Sequence, residues 1–331
     1  VFTKETDGCY LFNFDDQTTG NVKILEIKNK DKISGSIKYC NDTFTDDTLK
    51  FDGTSISKGD TKRPICKRAT VLHTEECTQT DSKYYCSGAG YTTSGSKGTS
   101  TITYGNLGTS GTLSSGDAFD CDVNGDGIYN PGTERFYYVS DYYNTNTKLF
   151  EDDTAVLIYY NNVIAGSPSN SVTYAYDSSG ENFHGPRTVI EQLPTTKQWS
   201  NVSLKNTSRA ILNENGGNTT SGGTLPSDFN YLGYAARLLT IQEIRQATGK
   251  NNIPTWNVGE LDNFNYLNEN TSFFSSANKI WAWWLENPRY STNDAWNVNS
   301  SYRRVPGDPV SYDSGNGVRP AIEVSKTNIA Y

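Results

Sequence analysis

Residues 287–316, near the C-terminus, form a thirty-residue run without a single Lys, Glu, Gln or Met. The run mixes Tyr and Arg with Asn, Ser, Asp, Gly and Pro. This composition is typical of binding loops, in which Tyr supplies rigid contact area and small polar residues supply adaptable hydrogen bonds. An aromatic segment, 281–284, precedes the run, and a Gly-Val-Arg-Pro-Ala segment, 317–321, closes it. The pattern predicts a variable polar surface between two fixed scaffold segments.

The missing residue types share a property of the genetic code. An Asn codon whose two adenines are randomised can encode Tyr, Ser, Asp, Gly, Arg, Pro, Val, Ala and Thr, but never Lys, Glu, Gln, Met or Trp. The composition of residues 287–316 therefore fits diversification of Asn codons at their adenines. Trp296 is then a fixed scaffold residue between variable ones.

These segments resemble the variable proteins of diversity-generating retroelements. The resemblance rests on the aromatic segment, the polar run, the closing segment 317–324, and on 236–240 (ARLLT) with Glu243, which is similar to the form found in gut Firmicutes. It covers about residues 58–331. It implies an α+β fold, a C-type lectin-like domain of the subclass related to formylglycine-generating enzymes. It also implies a mutagenic reverse transcriptase that rewrites adenine-encoded positions.

The residues expected to contact a ligand all lie in the variable region near 281–320. Tyrosines would anchor the ligand, as aromatic residues often do in interfaces, and charged residues would add charge-assisted hydrogen bonds. The predicted set is Arg289, Tyr290, Ser291, Asn293, Asp294, Asn297, Asn299, Ser301, Tyr302, Arg303, Arg304, Asp308, Ser311, Tyr312, Asp313 and Asn316. Gly317, Arg319 and Pro320 are expected to stay fixed, with Arg319 paired inside the fold.

Charge and hydropathy narrow the class of partner. The net charge of −8 includes no large basic stripe, which disfavours nucleic acid and anionic membrane surfaces. No window reaches the ~20 apolar residues of a membrane span, so no direct membrane insertion of this chain is expected. The expected partner is a protein or glycan ligand on another cell, phage or host surface. The expected location is extracellular, at the bacterial cell surface.

Six cysteines lie within the first 121 residues, and none forms a Cys-x-x-Cys pair. An even count without zinc spacing indicates three disulfides and an oxidising compartment. The alternative is buried free thiols in a cytosolic protein. Cys9–Cys40 is the pairing we expect in the N-terminal unit, and the pairing of the other four stays open.

An acidic segment matches the first half of a calcium loop, D-x-[DN]-x-[DN]-G, and Gly127 permits its sharp turn. The match then departs, because Thr133 stands where a bidentate Glu belongs. The predicted structural calcium ligands are Asp122, Asn124, Asp126, the Ile128 carbonyl and Glu134. The alternative is an acidic loop of Asx turns with no metal.

Local patterns divide the chain and predict its elements. Apolar and polar residues alternate in 1–57, which predicts a small β accessory or spacer unit. Residues 58–331 are expected to form the ligand-binding domain, with disulfide-tied β insertions. Segments 135–140 and 154–160 predict strands. Residues 239–249 predict a helix with Thr240 and Glu243 as a capping box and Gly249 at its end. Strands near 282 and at 318–324 are expected to pair.

The residues that catalysis needs are scarce. There are two histidines, no H-E-x-x-H or G-x-S-x-G pattern, and no cysteine after Cys121 for a thiol site. His184 is expected to be structural, with a proton relay to Glu181 as the alternative. A non-catalytic binding protein is therefore expected, and an oxidase-like enzyme that has lost its activity is a third hypothesis. The main alternative is a fixed-specificity, calcium-dependent carbohydrate lectin or adhesin that uses Glu286-Asn287-Pro288.

Overall fold

The computed structural model describes residues 64–78, 99–169, 172–269, 280–300 and 302–331, and the backbone of short strands before residue 50. The chain divides into two compact units, Val1–Pro64 and Ile65–Tyr331. The described residues of the first unit form antiparallel pairs: β1 (Phe2–Lys4) with β2 (Tyr10–Phe12), and β3 (Ile37–Lys38) with β4 (Thr48–Leu49). The predicted boundary at residue 57 and the accessory role of the first unit stay predictions.

The second unit is built mainly from short strands. These are β5 (Cys66–Arg68), β6 (His73–Thr78), β7 (Thr99–Tyr104), β8 (Ala118–Cys121), β9 (Arg135–Asn144), β10 (Leu149–Tyr159), β11 (Val163–Ile164), β12 (Ser167–Pro168), β13 (Ser208–Arg209), β14 (Phe229–Asn230), β15 (Ala282–Pro288), β16 (Asp294–Asn299), β17 (Gly307–Pro309), β18 (Asn316–Gly317), β19 (Ala321–Ser325) and β20 (Ile329–Ala330). Helix α1 spans Ile241–Thr248, and short 3-10 helices span Asn182–His184, Val189–Gln192, Asn265–Leu267 and Lys326–Asn328.

The largest sheet has the strand order β19–β10–β9–β8–β5–β20. Its centre is the antiparallel pair of β9 and β10, in which Tyr159 lies opposite Phe136. Both strands cover the segments predicted from their β-branched and aromatic residues, so those predictions are confirmed. Cys66 on β5 lies opposite Cys121 on β8, and a disulfide joins them.

Both faces of this sheet are buried. Alternate residues of the central strands enter different apolar clusters: Phe136 and Leu157 on one face, Tyr137 and Ile158 on the other. The first cluster includes Trp199, and the second includes residues of α1 and β15. Because both faces are covered, the central strands show continuous apolar runs instead of a polar alternation.

A second sheet, with the order β17–β16–β15–β18, carries the C-terminal polar run. β15 and β16 pair antiparallel with Trp283 opposite Val298, and β18 joins β15 in parallel. The expected pairing of the strand near 282 with the strand at 318–324 is wrong, since β19 pairs with β10 in the larger sheet. β15 has no edge left for β19, because β16 and β18 occupy both of its edges.

Helix α1 follows its predicted capping signals, and that prediction is confirmed. The Thr240 hydroxyl accepts the Glu243 N–H (3.2 Å), and the Glu243 carboxylate accepts the Thr240 N–H (2.9 Å). Gly249 ends the helix in the left-handed conformation, with φ 65°. Ile241 and Ile244 are buried on its inner face. Within the described ranges, no helix has the length and apolarity needed to cross a membrane.

The predicted α+β class, with its C-type lectin-like domain, is wrong. Strand accounts for 34% of residues and helix for 9%, and α1 is the one α-helix in the part of the chain that the structure describes. Besides the 3-10 helix Val189–Gln192, the neighbouring segment 196–204 forms turns and irregular structure. Segments this short gain too few helical hydrogen bonds to offset the cost of helix nucleation.

The Cys66–Cys121 disulfide links neighbouring strands of the largest sheet, whereas the sequence predicted disulfides that tie β insertions. Its position follows from the antiparallel register, which places the two cysteines opposite each other. Cys9, Cys40 and Cys86 lie outside the described residues. The Cys9–Cys40 pairing therefore stays a prediction.

Candidate ligand-binding site

The turn between β15 and β16, residues 289–293, lies in the predicted variable run. Tyr290 is 49% exposed, and its N–H donates to the Glu214 carboxylate (2.8 Å). The Asn293 side chain accepts the N–H of Asn182 (2.7 Å). The turn is therefore fixed to two other segments of the chain while the Tyr290 side chain stays at the surface.

Buried ion pairs hold β15 beneath this turn. The Arg209 guanidinium donates to both carboxylate oxygens of Glu286 (3.3 and 3.2 Å), and the Tyr231 hydroxyl donates to the same carboxylate (2.9 Å). Asn287 accepts the N–H of Ile241 (2.8 Å). Glu286 and Asn287 are both buried, so the suggested sugar-binding tripeptide has its polar groups engaged inside the fold.

A second buried group extends this network from α1 to β19. Arg237 donates to Glu243 (2.9 Å) and to Glu323 (2.5 Å). Burial lowers the pKa of Arg237, but the two carboxylates outweigh it, so its pKa lies well above the ordinary value. Paired and hydrogen-bonded on several sides, these charges fix the relative positions of α1, β15 and β19.

The residues predicted to contact a ligand differ in their exposure to solvent. Ser301 lies outside the described residues. The exposed members are Tyr290, Ser291, Asn293, Ser311 and Asp313. The half-buried members are Arg289, Asp294, Tyr302, Arg303, Arg304, Asp308 and Tyr312. The buried members, which do not contribute to the surface, are Asn297, Asn299 and Asn316.

Aromatic rings and guanidinium groups alternate in a row that we call the Arg–Trp ladder, formed by Tyr302, Arg304, Trp256, Arg289 and Trp296. The Arg304 guanidinium lies 4.6 Å from the Tyr302 ring centroid and 5.3 Å from that of Trp256. The Arg289 guanidinium lies 6.0 Å from Trp256 and 5.3 Å from Trp296. These are cation–π distances. Since Trp256 is 48% exposed, the ladder presents an aromatic face between two positive charges.

Asp308 and two asparagines form a polar layer next to the ladder. The Nδ2 groups of Asn297 and Asn316, both 0% exposed, donate to the same oxygen of Asp308 (2.9 Å each). Burial raises the pKa of Asp308, the charge of Asp294 adds to this effect, and the hydrogen bond from Asn316 opposes it. The layer joins β16, β17 and β18, so these asparagines support the site from within.

The turn at 302–305 is fixed to residues 255–262. Arg303 has a left-handed backbone (φ 48°), which is uncommon for a residue other than glycine. Its guanidinium pairs with Asp262 (3.1 Å), and its carbonyl accepts the Leu261 N–H (2.9 Å). These contacts hold Tyr302 and Arg304 against the Trp256 loop.

The segments on either side of the run are mostly buried. Trp283 and Trp284 are both fully buried. Arg319 is also buried, but it donates to the carbonyls of Tyr159 (2.5 Å) and Tyr266 (2.6 Å). Burial lowers its pKa to about 10, and the carboxylate of Glu269 opposes this shift.

Trp256 is the ladder residue that the sequence did not predict. It lies in the segment 253–259, outside the predicted variable region. Nothing in the sequence links it to Arg289 and Arg304, because the contact depends on how this segment pairs with the turn at 302–305, where Thr255 donates its N–H to the Val305 carbonyl (2.9 Å).

The acidic loop at 122–134 contains Asx turns, in which Asn124 accepts the Asp126 N–H (2.9 Å) and Asp126 accepts the Ile128 N–H (2.7 Å). Asp122 accepts the Gly127 N–H across the loop (3.1 Å). Glu134 is 5% exposed and accepts the Asn130 N–H (3.0 Å). Among the described residues, no three His, Cys, Asp or Glu side chains are gathered as a preformed metal centre.

Neither histidine has the geometry of an activated nucleophile site. His184 Nδ1 contacts Asp177 (2.8 Å) and Ser179 (3.0 Å), so its carboxylate partner is Asp177 and the alternative relay to Glu181 is wrong. A catalytic triad needs the hydroxyl and the carboxylate on opposite ring nitrogens, whereas here both meet Nδ1. His73 contacts Glu269 and the Pro131 carbonyl through its two nitrogens (2.6 and 2.7 Å).

Comparison with known proteins finds one family. A family model described as a domain of unknown function (DUF6273) matches residues 199–326. The matched part contains all five ladder residues and helix α1, but not the acidic loop at 122–134. No curated protein and no solved structure matches the chain.

Proposed function

We propose that the chain is an extracellular, non-catalytic ligand-binding protein of the receptor or adhesin kind, acting at the bacterial cell surface. Its binding surface consists of the accessible part of the Arg–Trp ladder, above the buried Trp296, and the exposed residues of 290–293 and 311–313. A retroelement diversifies this surface by rewriting adenine-encoded codons. The ligand is a protein or glycan on another cell, phage or host surface.

The ladder is the observation that carries this proposal. A half-exposed Trp256 between Arg289 and Arg304 provides apolar contact area together with charge-assisted hydrogen bonding, the combination that is enriched at energetically dominant interface positions. Beside it, Tyr290, Ser291, Ser311 and Asp313 are exposed. Buried ion pairs and the Asp308 layer hold the strands beneath them, so the surface residues can change without loss of the fold.

A displayed library tests the proposal. We would randomise Tyr290, Ser291, Ser311 and Asp313 with adenine-derived codons and select on an immobilised polysaccharide and, separately, on an immobilised folded protein. We expect most unselected clones to melt within a few degrees of the parent, since surface substitutions away from buried features change stability little. We also expect each selection to enrich clones that bind only their own target.

A matched library randomised at the buried residues Asn297 and Asn316 is the control, and we expect most of its members to unfold. Equal loss of folding in both libraries, or enrichment in neither selection, would contradict the proposal. The fixed-specificity lectin gives a different result. In that case the parent binds glycans only with calcium, and substitutions in the exposed set only weaken that binding.

A further inference from the structure

The acidic loop holds a buried carboxylate with an oxygen that lacks a partner. Glu134 Oε2 accepts the Asn130 N–H, whereas Glu134 Oε1 has no hydrogen-bond partner in the described structure. A buried carboxylate oxygen without a hydrogen-bond partner is costly, and a bound cation removes that cost. Glu134 therefore points to a positively charged ligand in this loop.

Two more carboxylates belong to the same loop. Asp122 is buried and accepts the Gly127 N–H (3.1 Å), and Asp126 is exposed and accepts the Ile128 N–H (2.7 Å). The loop therefore carries one buried and one exposed carboxylate in addition to Glu134.

The loop is attached to the body of the second unit along its length. Asn201 donates to the Asp122 carbonyl (2.7 Å), and Ser200 donates to the Asn124 carbonyl (2.8 Å). At the other end, the hydroxyl of Tyr159 donates to the Thr133 carbonyl (2.7 Å). Since both ends are fixed, an ion bound there needs little further ordering of the backbone.

We propose that residues 122–134 bind one calcium ion, with the buried carboxylates of Asp122 and Glu134 as its main ligands. The ligand set is completed by Asp126, the Asn124 amide and the Ile128 carbonyl. Calcium accepts such a mixture of carboxylate, amide and carbonyl oxygens in flexible geometry. The exposed Asx side chains move toward the ion when it binds, because they are not gathered around a common point without it.

Calcium titration of the chelator-treated chain tests this site. We would measure heats by isothermal titration with calcium chloride and the melting temperature with and without calcium. We expect one calcium per chain and a higher melting temperature, since a ligand that binds only the folded state stabilises it. Glu134→Gln should weaken binding by at least about tenfold, because the affinity of oxygen-ligand calcium sites follows the charge of their ligands.

Two further variants test the site even if Glu134→Gln folds poorly. Asp126→Asn changes an exposed ligand and should weaken binding without unfolding the chain. Asp152→Asn changes an exposed carboxylate outside the loop and should bind like the parent. The proposal is overturned if the parent shows neither heat nor a melting shift up to about millimolar calcium, the range of weak extracellular sites. It is also overturned if Asp126→Asn and Glu134→Gln both bind like the parent.

Discussion

Asp308 is an unusual residue for an exposed binding loop, because its carboxylate is shared by two buried amides. Asn297 and Asn316 were expected to contact a ligand, since they lie in the polar run and Asn is usually exposed. The structure places them inside, where they join three strands through Asp308. Composition alone does not distinguish an exposed Asn from one that holds strands together.

The Asp308→Asn variant should gain stability relative to the parent as the pH rises. Burial raises the folded-state pKa of Asp308, Asp294 adds repulsion, and Asn316, Asn297 and Arg304 oppose the shift. A carboxyl with a raised folded pKa contributes stability below its unfolded pKa, and this contribution is lost as the pH rises through the folded pKa. We therefore expect the free energy of unfolding of the variant, relative to the parent, to increase from about pH 4 to about pH 7.

Urea unfolding of both proteins across this pH range measures the difference. Asp313→Asn, at an exposed carboxylate of the neighbouring loop, is the control and should show a difference that hardly changes with pH. A pH-independent difference for Asp308→Asn would show that the buried layer does not disfavour the ionised carboxylate.

At the level of elements, sequence patterns located β9, β10 and α1 but not their partners. Each of these elements follows from local signals: β-branched and aromatic residues for the strands, and a capping box with a terminal Gly for the helix. Strand pairing is non-local. The aromatic segment before the run and the segment after Gly317 both predict strands, yet the register with β10 draws β19 into another sheet.

Arg237→Met should destabilise the second unit strongly. The substitution removes the partner of Glu243 and Glu323, which are both buried. Removing one side of a buried ion pair costs about 3–5 kcal/mol in free energy of unfolding, because it leaves an uncompensated charge. Urea unfolding, with the transition followed by Trp fluorescence, measures this loss.

Lys205→Met is the matched control for Arg237→Met. Lys205 pairs with Glu151 and Asp153 near the surface, where water screens the interaction. We expect little change in its free energy of unfolding. Equal losses in the two variants would mean that the buried network does not hold α1, β15 and β19 together.

At the scale of the whole molecule, the largest sheet is buried on both faces, and irregular segments form much of the layers that cover it. The composition, rich in Thr, Ser, Asn and Gly, predicted a loop-rich protein, and the described residues agree with that expectation. It did not reveal that the loops would replace helices as the covering layers. A short polar segment can be a helix or a turn, and burial against the sheet decides which it becomes.

The Cys66–Cys121 disulfide should stabilise the second unit by restricting its unfolded chain. Its sequence separation is 55 residues. The loop-entropy relation gives about 4 kcal/mol for a loop of this length. We expect the double variant Cys66→Ala and Cys121→Ala to lose much of that free energy of unfolding, measured in urea. Equal free energies of unfolding for the parent with and without a reductant would contradict the entropic account.

Diversification of the binding surface is the central claim, and sequencing the surroundings of the gene tests it most directly. We predict an adenine-rich near-copy of the codons for residues 281–320 beside a gene for a reverse transcriptase. Its mismatches should be confined to adenines and should fall mainly on exposed positions such as Tyr290, Ser291 and Asp313, sparing Trp296. The absence of such a copy, or mismatches spread over all four bases, would contradict the claim.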